Sequence, residues 1–104
     1  MGAISYTKSY VVDQMPDMIL GKDGNRSELD IFNLSTTEFL YIGLGDENKI
    51  FKETEMLPIA PGEAYSSSAP PVTAVFLMAN TPIHVLVSYS STAPAYVRGS
   101  LVNV

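Results

Sequence analysis

The chain has 104 residues, of which 46% are hydrophobic and 16% charged, with no cysteine, no tryptophan and one histidine. That length accommodates one domain with one core, and the composition excludes a disordered segment or a disulfide scaffold. The net charge of −5 and the scatter of Lys8, Lys22, Arg26, Lys49, Lys52 and Arg98 along the chain argue against nucleic acid and anionic membrane as partners, because no basic stripe overrules the overall repulsion.

The N-terminal residues Met1–Lys8 lack the charged and apolar regions of a signal peptide, and no apolar run approaches the roughly 20 residues that span a bilayer. Synthesis in the cytoplasm is therefore expected. Ser5–Val12 reads as a strand with Tyr6, Lys8, Tyr10 and Val12 on one face. Pro16 interrupts it, since proline cannot donate to a ladder. Residues 1–20 are expected to form either the first strand of a sandwich or an extended arm or swapped strand. Met18–Leu20 resumes the apolar pattern, and Lys22-Asp-Gly-Asn25 suggests a tight hairpin turn.

Glu28–Asn33 is the next expected strand, with Leu29 and Ile31 facing one way and Asp30 and Phe32 the other. Phe39–Leu44 follows as a strong strand. The tract from Asp46 to Glu55 reads as a polar, solvated loop whose second half is a short strand or a single helical turn. Pro61-Gly62 fits the central positions of a type II turn. Strands are then expected over Ala64–Ser68, Val72–Met78, Ile83–Tyr89 and Tyr96–Val104, separated by Ala69-Pro-Pro71, Asn80-Thr-Pro82 and Ser90–Pro94. Short strands with turn signals about every 8–12 residues indicate a single antiparallel β-sandwich, jelly-roll-like, spanning residues 1–104. Its core should include Leu29, Ile31, Leu40, Ile42, Val75, Leu77, Val85 and Val87.

Reactive chemistry is sparse. His84 is the only side chain that titrates near neutrality, and it stands between Ile83 and Val85 with no local group to orient its ring. In the acidic tract two lysines interleave the carboxylates and no glycine stands at the sharp turn a calcium loop needs. Ser66–Ser68 lacks a nucleophile elbow, and Gly43-Leu-Gly45 lacks the rest of a dinucleotide fingerprint. With eleven acids in the chain, some pair of neighbouring carboxylates is inevitable, so proximity does not identify a glycosidase. Asn25-Arg-Ser27 and Asn33-Leu-Ser35 match the glycosylation pattern, and with cytoplasmic synthesis expected these are read as chance matches. The expectation is a non-enzyme with no cofactor, no catalytic residue and no metal site. Six tyrosines serve either core filling or contact, because tyrosine presents an apolar body with a polar tip.

One succession of motifs has a family character: Leu29-Asp-Ile-Phe-Asn-Leu-Ser35, Phe39-Leu-Tyr-Ile-Gly43, Leu57-Pro-Ile-Ala-Pro-Gly-Glu63, Val72-Thr-Ala-Val75 and Ile83-His-Val-Leu-Val87. Over roughly residues 28–89 this resembles small tailed-bacteriophage virion proteins of the capsid decoration (cement) or head-fibre base type. In those proteins such motifs mark successive strands of a compact β-sandwich. The resemblance implies a structural virion protein that binds and stabilises the outer surface of a phage head. Its partners would be the major capsid protein and further copies of itself. It transfers no functional residue. A homodimer is favoured by the abundance of two-fold symmetry, with a trimer as the alternative. The amphipathic residues Tyr6, Tyr10, Met15, Met18 and Tyr96 are the candidate interface. The competing reading is a carbohydrate-binding β-sandwich module using exposed tyrosines as sugar platforms, with a small β enzyme third.

Overall fold

A computed structural model describes residues 4–67 and 72–92. Eight strands are formed: β1 (Ile4–Val12), β2 (Asp17–Leu20), β3 (Arg26–Asn33), β4 (Leu40–Gly45), β5 (Leu57–Ile59), β6 (Ala64–Ser67), β7 (Ala74–Met78) and β8 (Ile83–Ser91). Every pairing is antiparallel. Sheet I has the order β1-β8-β3-β6 and sheet II the order β2-β7-β4-β5. Among the described strands the first thus pairs with the eighth, the second with the seventh, the third with the sixth and the fourth with the fifth. That is one long hairpin rolled into two facing sheets, the jelly roll.

The alternating sequence pattern places the core. Leu29 and Ile31 of β3, Leu40 and Ile42 of β4, Val75 and Leu77 of β7, and Val85 and Val87 of β8 are all buried between the sheets. Removing each such side chain from water stabilises the fold by roughly 1.5–3 kcal/mol. Tyr10 and Val12 of β1 and Ile19 and Leu20 of β2 belong to the same cluster. Residues 4–12 and 17–20 are therefore strands of the sandwich rather than an extended arm. β1 pairs with β8 at nine consecutive positions, from Ile4 opposite Ser91 to Val12 opposite Ile83. The two alternating inward tyrosines and the matching length of β8 are what hold it there.

β7 departs from simple alternation, because all five of its residues are buried. Val75 and Leu77 face the core, while Ala74, Phe76 and Met78 face outward. Their cover is the connection between β4 and β5. This segment was expected to be a solvated loop, but Phe51 and Met56 fold it back over sheet II. There they form a second cluster with Ala74, Phe76 and Met78, and Met18 and Tyr41 pack against it. Phe51 and Phe76 lie 5.0 Å apart in a tilted pair. A single 3₁₀ turn at Glu53–Glu55 resolves the choice between strand and helical turn.

Two turns carry the remaining local logic. At Ala60–Glu63 the Glu63 N–H donates to the Ala60 carbonyl at 3.0 Å, and Gly62 takes the positive φ of 77° that the type II turn requires. Lys22–Asn25 is not a hairpin turn, because β2 and β3 lie in different sheets. The buried Asp23 carboxylate shapes this crossing by accepting from Asn25 N–H at 2.8 Å and from Ser91 Oγ at 2.7 Å. The expected strand Tyr96–Val104 and the Ala69-Pro-Pro71 break lie outside the described residues.

Candidate interaction surface

The two outer faces of the sandwich differ. Sheet II lies under its own loop, and its small residues make that possible. Gly43 and Gly45 of β4 leave room for the Phe51 ring, and the Lys49 ammonium lies 5.2 Å from the centre of that ring. Lys49 also reaches Glu55 at 3.8 Å in a half-exposed pair that contributes little.

Sheet I has no such cover among the described residues. Cross-strand registers define its outer rows. Ser5, Ser90 and Glu28 form one, and Thr7, Ser88, Asp30 and Ser66 the next. Hydroxyls link these rows, with Ser5 Oγ and Ser90 Oγ at 3.1 Å and Thr7 Oγ1 donating to Ser88 Oγ at 3.2 Å. The row of Ser9, Leu86, Phe32 and Ala64 is apolar at its centre. Beyond it Val11 stands opposite His84, and the Leu34 N–H extends the ladder to the His84 carbonyl at 3.1 Å. Val11 and Leu34 are each 50% exposed and Phe32 36%. Val11, Phe32, Leu34 and Leu86 therefore form an apolar patch around an exposed His84, at the end of a hydroxyl-rich face. Contiguous apolar surface of this kind marks contact sites.

Of the expected interface residues that are described, Met15 is the one freely available, at 78% exposure in the β1–β2 turn. Tyr10 is buried in the core, so the structure removes it from any contact surface. Met18 is half-buried and packs against the Phe51 cluster beside Phe76, to which it is opposed in the β2–β7 pair. Tyr6 is half-buried and stacks on Tyr89, with centroids 5.1 Å apart and planes at 18°. Tyr96 lies outside the described residues. The described tyrosines are all buried or half-buried.

The residues that sequence reasoning missed are polar and buried. Asn33 is 1% exposed, and its Nδ2 donates to the carbonyls of Glu38 at 2.8 Å, Ile59 at 3.0 Å and Ala60 at 3.2 Å. Its Oδ1 accepts from Ser35 N–H at 3.0 Å. One side chain thereby ties β3 to both β5 and the β3–β4 turn. At the opposite end Arg26 donates to Gly21 O at 2.8 Å and Thr73 O at 3.2 Å. Burial pulls its guanidinium below the ordinary pKa, against the opposing influence of Asp23 and Tyr89. Tyr89 is pushed up to about 12, chiefly by burial and then by Tyr6 and Asp23, with Arg26 acting the other way. The only trace of these roles in the sequence was an Asn-x-Ser triplet and an Asp-Gly pair, both of which have more ordinary readings.

The described residues thus form a jelly roll of eight strands, with one face covered by the chain's own loop and the other uncovered among those residues. No family model matches the chain, and no curated protein matches it. Among solved structures it is similar to a protein of Bacillus endospore appendages that form a novel family of disulfide-linked pili. That likeness covers 86% of each chain with a TM-score of 0.54 at 11% identity, and is one of fold.

Proposed function

We propose that this chain is a structural, non-enzymatic subunit that decorates a protein shell, of the phage-head type its strand motifs resemble. The observation that carries this reading is the asymmetry of the two outer faces. The chain spends its own loop covering sheet II, while among the described residues nothing folds over the hydroxyl-rich face of sheet I, which has the Val11–Phe32–Leu34–Leu86 patch at one end. The aromatic and aliphatic patch supplies the apolar centre of a contact, and the hydroxyls with the Glu28 and Asp30 carboxylates beside it supply a polar rim. Repetition of a modest contact around a symmetric shell multiplies its effect. The fold neighbour supports the class at the level of a jelly roll used in an assembly, here without cysteine for covalent links.

The test is co-sedimentation with emptied heads of the phage whose genome carries this sequence. Phe32→Ser and Leu34→Ser together extend the hydroxyl face across the patch. The variant should remain folded and bind heads roughly tenfold more weakly or worse. His84→Ala should bind as the parent does, because it keeps the patch apolar and removes only the titratable group. Undiminished binding by the double variant places the contact elsewhere, and absence of binding by the parent protein refutes the reading.

A further inference from the structure

Sheet I ends in two strands with one open side each among the described residues, β1 and β6. An open edge displays unpaired N–H and C=O groups and invites another strand. Which groups point outward follows from the ladder. Leu34 N–H donates to His84 O, and Asn33 N–H donates to Glu63 O at 2.9 Å. Hydrogen-bonded pairs alternate along an antiparallel ladder. The even residues of β8 therefore bond to β3 and its odd residues to the even residues of β1. That leaves Ser5, Thr7 and Ser9 on β1, and Ala64 and Ser66 on β6, with backbone groups facing away from the sheet.

The side chains at these edges are complementary. Lys8 has the same parity on β1 as the inward Tyr6 and Tyr10, yet it is exposed. Glu63 continues the β3–β6 register opposite Asn33, on the parity of the inward Tyr65, and it too is exposed. Tyr6 and Tyr65 are both half-buried and packed against the core cluster. Each edge thus carries one charge at the mouth of the sandwich, two residues from an inward tyrosine: Tyr6 and Tyr10 flank Lys8 on β1, and Tyr65 follows Glu63 at β6. The charges are opposite. Neither has an ion-pair partner among the described residues.

We propose that copies of this chain join head to tail, β6 of one copy pairing with β1 of the next. Strand directions alternate across sheet I, so a second copy in the same orientation presents its β1 antiparallel to β6. In the register that sets Lys8 against Glu63, Tyr6 meets Tyr65, and Thr7 with Ala64 and Ser5 with Ser66 form the hydrogen-bonded pairs. The backbone parity derived above permits this register. A two-fold β1–β1 dimer is worse, because it brings Lys8 of both copies directly or diagonally together, and like charges across strands repel. Head-to-tail contacts are heterologous, so they close into a ring or continue as a filament according to the rotation per copy. This association does not depend on shell binding.

The test is sedimentation velocity of the full chain at rising concentration. The expected result is a mass that grows past the dimer or settles at a closed ring. Lys8→Glu and Glu63→Lys each put like charges across the contact and should weaken association roughly threefold to tenfold. An equimolar mixture of the two variants should recover it, since each supplies the edge that matches the other. Both positions are exposed, so melting should stay near the parent value. If either charge reversal perturbs folding, Lys8→Gln and Glu63→Gln repeat the test, with a smaller weakening expected. A strictly monomeric parent at hundreds of micromolar overturns the proposal, whether the edge is then covered by the chain's own residues 93–104 or by another protein. So does a stable dimer that ignores both substitutions, or a mixture that stays as weak as its components.

Discussion

The Phe51 ring occupies the space that any side chain at Gly43 would need: a Cβ there would lie 2.9 Å from Phe51 Cε1 and 3.0 Å from Cδ1. Gly43 is the floor and Phe51 the lid of the second cluster. Gly43→Ala should therefore lift the loop and cost about 1–3 kcal/mol through overpacking. Phe51→Ala should cost about 2–4 kcal/mol through lost burial. The double variant should lose less than the two costs added together, because removing the ring makes room for the methyl group. Urea denaturation of the three variants measures this, and simple additivity would refute the coupling.

Asn33 should tolerate no replacement. Asn33→Ala removes a donor that serves three carbonyls and should cost about 2–4 kcal/mol, the range expected when buried polar groups lose their partners. Asn33→Asp should be worse, since it buries a charge facing carbonyl oxygens. Thermal melting separates the variants, and an Asn33→Ala protein within 0.5 kcal/mol of the parent would show that water or a rearranged turn replaces the side chain.

Tyr89 predicts an alkaline limb. Its pKa is raised from the ordinary 10.0 to about 12 in the folded protein, with burial as the main cause and Tyr6 and Asp23 adding to it. The unfolded chain thus releases its proton first. Stability from this group is intact below about pH 10 and declines as the pH rises through 12. In Tyr89→Phe the decline over that window should be shallower. Equal slopes in the two proteins would show that Tyr89 ionises normally.

Deleting residues 1–16 should unfold the protein. The deletion removes β1, with Tyr10 and Val12 from the core, and strips β8 of its partner on one side along nine residues, leaving it paired only to β3. Circular dichroism of the truncated chain gives the answer. A folded product would restore the idea of a separable arm.

Two single truncations calibrate the core. Ile42→Ala should cost about 2–4 kcal/mol and Val85→Ala about 1–3 kcal/mol, both being almost wholly excluded from water. Near-parental melting of either would be inconsistent with the packing between the sheets.

The sequence made the strands legible wherever one face meets the core and the other does not. Leu29 to Phe32 and Ile83 to Tyr89 alternate cleanly, and the structure orients them accordingly. It concealed what depends on contacts distant along the chain. Phe51 lies in a run of charges and reads as a loop residue, since nothing local shows the two glycines it will cover. Tyr10 and Met18 look like amphipathic anchors because their burial depends on β8 and on the Phe51 cluster. The patch around His84 draws Val11 from β1, Leu86 from β8 and Leu34 from just beyond β3, and so could not be read as one surface. The edge charges Lys8 and Glu63 were equally invisible, because only the register shows that they share a parity and end opposite borders of one sheet.

The rolled pairing also has a consequence for biosynthesis. β1 is made first, yet among the described strands its partner is β8, whose last residues lie more than seventy positions later. During translation β1 must therefore wait with its backbone unsatisfied until nearly all of the described chain has left the ribosome, so sheet I closes only at the end. Such long-range closure makes folding slow, on the order of milliseconds to seconds for all-β domains. Lys8 stands at the middle of that waiting strand, where pairing with the same strand of a neighbouring nascent chain would set two like charges close together.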